Sequence, residues 1–163
     1  MSEHYDDVRS LAVEIALVEV KKHIKEVGGE NQGPEIDKYK KAAHCKTDST
    51  KGWCGMFVHW CYKEAANRCG KVLPFIPEVL WRGNKLHRWT LSHPDAVVYT
   101  SPILPGDIFV RNDMNHIGLV VEQMTDYEVM QTIEGNQSTV AEGADAVKRT
   151  TSLFSQTALI VRI

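Results

Sequence analysis

Cys54 is the residue of this sequence whose type and position most favour chemistry. It lies in the segment Gly52-Trp53-Cys54-Gly55, directly before a stretch with helical spacing of apolar residues. In the first turn of a helix, unpaired backbone N–H groups and the positive end of the helix dipole lie near the sulfur and favour the nucleophilic thiolate. The two flanking glycines would let a substrate backbone approach closely. Taken alone, however, the segment fits a small buried side chain at a helix start better than a nucleophile.

Two later segments supply the partners that a cysteine nucleophile needs. His116 opens a predicted strand, and Glu134 ends the next one. An imidazole beside the thiolate can form an ion pair with it and then protonate a leaving amine. A carboxylate on the far ring nitrogen would fix the tautomer and orientation of that imidazole. In antiparallel neighbouring strands His116 and Glu134 would lie level with each other. Asp113 is the alternative acid for this orienting role.

The order of these segments resembles the CHAP family of cysteine, histidine-dependent amidohydrolases and peptidases. That family is related to the NlpC-type peptidoglycan hydrolases within the papain-like superfamily. The motifs that carry the resemblance are Gly-Trp-Cys-Gly-x-Phe-Val at 52–58, Pro-Gly-Asp-Ile at 105–108, His-Ile-Gly-Leu-Val at 116–120 and Glu-Gly-Asn at 134–136. The segment 33–39 also resembles the lead-in of that family.

The resemblance implies a role for four residues. Cys54 would be the nucleophile, His116 the base, Glu134 the orienting acid and Asn136 a fourth polar group near the histidine. It further implies a papain-like α+β fold and hydrolysis of amide bonds in bacterial cell-wall peptides, with no metal and no cofactor.

Substrate contacts have fewer candidates. A tetrahedral intermediate needs N–H donors for its oxyanion. The backbone N–H of Cys54 would be one donor, and Asn31 or Gln32 from upstream would supply another. We assign Trp53, which adjoins the nucleophile, and Gln32 as substrate-binding residues.

Residues 73–105 form a stretch rich in tryptophan and proline that has the character of an insertion. Trp81 and Trp89 flank three basic residues there, Arg82, Lys85 and Arg88. A peptide or glycan strand could stack on Trp81, which we assign as a third substrate-binding residue, although ordinary partial burial explains the ring equally well. The stretch could shape a substrate groove.

Length and composition exclude several classes of protein. The chain has 163 residues, 43% hydrophobic and 25% charged, which fits a single globular domain over residues 1–163 and excludes a disordered chain, a collagen and a coiled coil. Its net charge is -2 and it has no run of five basic residues, so we expect no nucleic-acid partner.

No signal peptide or membrane span is predicted either. The most apolar N-terminal stretch, from Leu11 to Val20, is interrupted by Glu14 and Glu19. We therefore expect a protein made in the cytoplasm without a signal peptide. Given the resemblance, it would act in the periplasm or cell wall of a target bacterium.

The other sulfur and imidazole groups favour a structural role over a metal site. The four cysteines at 45, 54, 61 and 69 contain no CxxC pair and fit no zinc spacing, even with His44 and His59 included. Cys54 and Cys61 would lie about 10 Å apart along a helix, too far for a disulfide. We expect mostly free thiols.

The pattern of apolar residues changes period along the chain. Spacings of three and four predict helices first, and alternation predicts strands after Pro105. This order indicates an α+β domain with N-terminal helices packed on a C-terminal antiparallel sheet. The predicted helices run from Asp6 or Asp7 to Gly28, over 35–43 and over 53–68, with helical turns at 78–86. The predicted strands are 107–110, 116–122, 128–134, 146–150 and 158–163, with a hairpin connection at 124–127.

Together these features predict a cysteine amidase or endopeptidase for peptidoglycan stem peptides or cross-bridges. Two delivery routes fit: a secreted antibacterial effector with a cognate immunity protein, or a phage lysin, and the absence of a wall-binding module favours the effector. A transpeptidase or acyltransferase with the same Cys-His pair is an alternative. So is an inactive module that binds wall peptide or a protein, although such a module would not need Cys54, His116 and Glu134 together.

Overall fold

The computed structural model describes residues 2–99, 102–124, 128–138 and 144–163. Within them the chain is α+β, with helices first and strands after them, as the sequence predicts. The α-helices are α1 (Asp6–Lys21), α2 (Pro34–Ala42), α3 (Cys54–Arg68) and α4 (Gly83–Thr90). The strands are β1 (Ile108–Arg111), β2 (Ile117–Gln123), β3 (Val129–Gln137), β4 (Ala146–Leu153) and β5 (Thr157–Val161). Short 3-10 turns lie at Ser2–Tyr5, Pro77–Trp81, Pro94–Ala96 and Phe154–Gln156.

The strands form one antiparallel sheet in the order β4-β3-β2-β1-β5. Strands β2 and β3 are neighbours, with Leu119 opposite Ile133 and Val120 opposite Thr132. Gln123 pairs with Met130, so the predicted hairpin connection falls between these strands, although its residues 125–127 lie outside the described part of the chain. The pairing of β2 with β3 brings the start of one strand beside the end of the other, where the site lies.

Helix α3 is the central helix, and its first residue, Cys54, belongs to the site. It contacts α1, α2, β2 and β3, and most of its side chains are buried. The helix ends as predicted, because Gly70 adopts a φ of 65° that suits glycine. The N–H of Gly70 then bonds to the carbonyl of Asn67, and that of Lys71 bonds to the carbonyl of Ala66. Cys54 therefore begins a helix that is packed on several sides and capped at its far end.

Helix α1 is shorter than the sequence predicts. It ends at Lys21, and His23 adopts a positive φ of 54°. The chain then runs beside β4: the N–H of Val147 donates to the carbonyl of Ile24 at 2.9 Å, and the N–H of Glu26 donates to that of Asp145 at 2.9 Å. The predicted continuation to Gly28 is wrong, because this segment covers the edge of β4.

The middle of the chain also differs in detail. The helical turns predicted at 78–86 are a 3-10 turn at Pro77–Trp81 followed by α4, which extends to Thr90. No helix in the described ranges is both long and apolar enough to cross a bilayer.

Candidate active site

Cys54 is the first residue of α3, and its sulfur lies 3.7 Å from the carbonyl oxygen of Asn115. The residue is 4% exposed. Gly55 packs directly on the Pro77–Trp81 turn, since a Cβ at this position would lie 1.6 Å from the carbonyl oxygen of Leu80. The expectation that Gly55 gives a substrate room is therefore wrong: its missing side chain lets α3 dock on the turn and sets the position of Cys54.

His116 directly precedes β2 and is buried. Its Nε2 lies 2.7 Å from Oε2 of Glu134 in β3. Cys54 lies close enough to this imidazole for the two side chains to shift each other's pKa values. Because Glu134 occupies Nε2, Nδ1 is the ring nitrogen left for the sulfur. The structure thus brings together Cys54, His116 and Glu134, which the sequence singles out.

Glu134 is held from several directions. Its Oε1 accepts hydrogen bonds from Thr132 Oγ1 at 2.6 Å and Ser152 Oγ at 2.9 Å. Gly118 in β2 makes room for it, since a Cβ there would lie 2.8 Å from Glu134 Cγ. The sequence predicts that this strand ends at Glu134, but β3 continues to Gln137.

Gln137, which the sequence did not single out, is a further neighbour of His116. Its Nε2 donates a hydrogen bond to Glu134 Oε2 and lies 3.0 Å from His116 Nε2. The register of β3 against β4 shifts between Glu134 and Gln137, which changes the direction of the side chains. The dipeptide Gly135-Asn136 is the signal for this irregularity, because asparagine tolerates the left-handed conformation that it adopts there, at a φ of 59°.

Asn136 borders the same cavity as Cys54 and His116. A Cβ on Gly52 would lie 3.1 Å from Asn136 Nδ2, so this amide packs over the segment before Cys54. Its Oδ1 is buried, and none of the described residues donates a hydrogen bond to it. Asn136 is therefore a polar group on the side of Cys54, while Gln137 borders the pair of His116 and Glu134.

The three groups shift one another's pKa values towards their charged forms. Burial raises the pKa of Cys54, but the hydrogen bond and charge of His116, together with the N–H groups of Ile117 and Gly55, lower it below the ordinary thiol value. Burial opposes the charge on His116, yet the hydrogen bonds and charges of Cys54 and Glu134 raise its pKa to about 9. For Glu134 burial is likewise outweighed, chiefly by His116, so its pKa is lowered. Near neutral pH this geometry favours an imidazolium beside a carboxylate, and it shifts Cys54 towards the thiolate.

Asp113 does not take the orienting role. Its Oδ2 accepts hydrogen bonds from Arg111 Nε at 3.1 Å and Nη2 at 2.7 Å, and its Oδ1 accepts one from the N–H of Asn115 at 3.0 Å. The guanidinium of Arg111 lowers the pKa of this exposed carboxylate. Its oxygens are thus bound to other groups in the loop before His116.

A polar cavity of about 720 Å³ opens above Cys54. Trp81 lies in its wall, with the ammonium groups of Lys51 and Lys85 4.4 and 4.7 Å from its ring centre. The described residues that line the cavity are Lys51, Gly52, Cys54, Trp81, Arg82, Asn84, Lys85, Arg88, Arg111, Asn115, His116, Asn136, Gln137, Ser138 and Asp145. Of the three residues assigned to substrate binding, Trp81 is the one that borders this cavity.

Trp53 and Gln32, the other two residues assigned to substrate binding, do not border this cavity. Trp53 is fully buried; its ring stacks on Tyr39 at 5.7 Å and its Nε1 donates to Glu26 Oε1 at 2.9 Å. Gln32 lies in a turn, where its carbonyl accepts the N–H of Val27. The amide of Asn31 donates to the carbonyl of Thr50 at 3.3 Å and likewise does not border the cavity.

The remaining cysteines and histidines do not assemble into a cluster. All four cysteines are unpaired. In the part of the chain that the structure describes, no group of three or more His, Cys, Asp or Glu side chains could hold a metal ion. His59 is buried in α3, and burial lowers its pKa to about 4, so this imidazole is neutral at physiological pH.

Comparison with known proteins gives no relative for this chain. No protein-family model matches it, and no significant match was found among curated proteins or solved structures. The function of the site has therefore to be inferred from its geometry and chemistry.

Proposed function

We propose that the protein is a cysteine-dependent amidase or endopeptidase that hydrolyses amide bonds in bacterial cell-wall peptides. The observation that carries this proposal is the hydrogen bond of 2.7 Å between His116 Nε2 and Glu134 Oε2, made by an imidazole that borders the same cavity as Cys54 and lowers the pKa of its thiol. A structural cysteine at a helix start needs neither a buried histidine nor a buried carboxylate. A cysteine nucleophile needs a histidine beside its sulfur and a carboxylate on the far side of that histidine.

The first half of the reaction transfers the acyl group to Cys54. The thiolate attacks the carbonyl carbon of the amide, and the carbonyl oxygen becomes an oxyanion. The C–N bond then breaks as the imidazolium of His116 gives its proton to the leaving amine. The products of this half are a free amine and a thioester on Cys54, with His116 left neutral.

The second half returns the enzyme to its starting state. Neutral His116 removes a proton from a water molecule, whose oxygen attacks the thioester carbonyl. The C–S bond breaks, the acid product leaves and Cys54 is again a thiolate beside an imidazolium. Glu134 keeps the ring in the orientation that both halves require and stabilises its positive charge.

The start of α3 supports the oxyanion. The first backbone N–H groups of a helix have no partner within the helix. No side chain of the described residues caps α3, so the N–H of Cys54 is available to a developing negative charge. Asn136 borders the same cavity and is the side chain we place closest to the substrate on this side.

The proposals of a wall-peptide substrate and of a papain-like fold rest on the resemblance of the motifs to the CHAP family, and not on the geometry of the site. A cysteine at a helix start, a histidine at the start of a strand and an acid on the next strand agree with the motifs that resemble the CHAP family. From that resemblance we propose a papain-like fold and peptidoglycan stem peptides or cross-bridges as substrate. We further propose action in the periplasm or wall of a target bacterium, with an immunity protein protecting the producer if the protein is an effector.

Incubation with purified muropeptides tests the proposal. Wild-type protein should release products that differ from the substrate by hydrolysis of an amide bond, as measured by mass spectrometry, and Cys54→Ala should release none. Activity should persist with a chelator. Equal turnover by Cys54→Ala would refute the proposal. A product joined to an added amine, with no hydrolysis, would instead identify the transpeptidase.

A further inference from the structure

The cavity above Cys54 is basic in a chain that is acidic overall. The net charge of the chain is -2, yet five lysine and arginine side chains line this cavity together with His116, and Asp145 is the sole acid among the described lining residues. The five are Lys51, Arg82, Lys85, Arg88 and Arg111. The positive charge is therefore concentrated where a substrate must enter.

Among the described residues, none provides an acidic partner for four of these cations. Some cations outside the cavity are bound to carboxylates, as in the pair of Lys38 with Glu19 at 2.6 Å and that of Arg162 with Asp107 at 2.6 Å. Arg111 in the cavity is bound to Asp113. Across the ranges that the structure describes, however, no carboxylate lies within 4.0 Å of Lys51, Arg82, Lys85 or Arg88.

The placement of these cations follows from α4. Arg82, Lys85 and Arg88 recur every three residues from the N-cap of α4 onwards, so they share one side of the helix. Leu86 is fully buried and anchors another side of α4. Lys51, from the segment before Cys54, adds to this wall, where it and Lys85 both lie over the Trp81 ring. Like charges that line one cavity repel one another, and a bound anion would relieve the repulsion.

We propose that this wall, formed by Lys51, Arg82, Lys85 and Arg88, binds carboxylates of the substrate and selects acidic peptides. The proposal rests on the proposed function, because the bound peptide is the one whose amide is presented to Cys54. Charge-assisted bonds from lysine and arginine to carboxylates supply the affinity, and the apolar Trp81 ring holds two of the cations in place.

A binding measurement separates this wall from the chemistry. The protein carries Cys54→Ala so that no turnover occurs, and calorimetry measures its affinity for a soluble muropeptide and for the same muropeptide with its carboxylates converted to amides. The test variant adds Lys51→Gln, Lys85→Gln and Arg88→Gln. The matched control adds Lys41→Gln, Lys46→Gln and Arg68→Gln, three exposed cations that do not border the cavity.

The acidic muropeptide should bind about tenfold or more tightly than its amidated form, and the test variant should lose most of that difference. The control should stay within about twofold of the parent protein. Equal affinity for both muropeptides, equal effects of the two triple variants, or tighter binding of a single-stranded oligonucleotide than of the acidic muropeptide would overturn the inference. If binding depended on the carboxylates of the muropeptide but the wild-type protein did not cleave it, the proposed function alone would be refuted.

Discussion

Nε2 of His116 and Oε2 of Glu134 lie 2.7 Å apart, and both side chains are buried. This bond fixes which ring nitrogen can serve Cys54. Glu134 is in turn held by hydroxyl groups of Thr132 and Ser152, so the orientation of the imidazole is set by β2, β3 and β4 together. The nucleophile comes from a helix, while the base and its acid come from the sheet, and the packing of α3 on the sheet aligns them.

Replacing Glu134 should reveal its role. Glu134→Gln removes the charge that stabilises the imidazolium but leaves a similar shape, so we expect a loss of roughly two to four orders of magnitude in kcat on one muropeptide. Glu134→Ala should be at least as damaging. Asp113→Asn is the control and should stay near wild type, because Asp113 is bound to Arg111. If Asp113→Asn lost most of its activity and Glu134→Gln kept it, the orienting acid would be Asp113 and not Glu134.

The pH dependence of the reaction should follow the charged pair. The active form needs a thiolate and an imidazolium, so kcat/KM should fall in acid as Cys54 gains a proton and in alkali as His116 loses one. Since the pKa of His116 is raised to about 9, activity should persist well above the ordinary histidine range. The two limbs belong to the coupled pair rather than to either residue.

Glu134→Gln should move the alkaline limb of that profile to lower pH. Without the carboxylate, one of the groups that raise the pKa of His116 is gone, so the imidazolium loses its proton sooner. The residual activity of this variant is enough for the measurement if long incubations are used. An unchanged alkaline limb would mean that Glu134 does not support the charge on His116.

Lys40 should matter for the segment that leads to Cys54. It is fully buried, and its Nζ donates to the carbonyls of Asn31, Thr47 and Ser49 at 2.5, 2.8 and 2.8 Å. Lys40→Met would leave three carbonyls without their donor, so we expect a loss of roughly 3 kcal/mol or more in the free energy of unfolding. Urea denaturation measures this loss.

The neighbouring lysine provides the control for that experiment. Lys41 is exposed on the same helix, so Lys41→Met should change the free energy of unfolding by less than about 0.5 kcal/mol. Equal stability of the two variants would show that the ammonium of Lys40 does not hold this segment.

Local patterns were sufficient where the chain interacts mainly with itself. The start of α3 near Cys54 and its end before Gly70 follow from apolar spacing and from the left-handed conformation of that glycine. The alternation around His116 and Glu134 likewise places them on neighbouring strands. The meeting of Cys54, His116 and Glu134 could therefore be expected from motifs in a given order.

Contacts between distant segments account for what the sequence did not reveal. Ile24 has helical spacing from α1, but its carbonyl bonds to Val147, a partner far away in the chain. Trp53 adjoins the nucleophile in sequence, yet the packing of Tyr39 and the carboxylate of Glu26 draw its ring inwards. Gln137 reaches His116 through a shift in strand register, which alternation alone does not predict.

The pH dependence of alkylation at Cys54 tests the central claim most directly, because it needs no substrate. Iodoacetamide reacts with thiolates, and peptide mapping by mass spectrometry gives the rate at each cysteine. Cys54 should react at pH values below the ordinary thiol range, and His116→Ala should move its profile to higher pH, because His116 lowers the pKa of Cys54. Cys61 should stay slow in both proteins, since burial raises its pKa. If Cys54 reacted no faster than Cys61, or if His116→Ala left its profile unchanged, Cys54 would not be an activated nucleophile and the account would be contradicted.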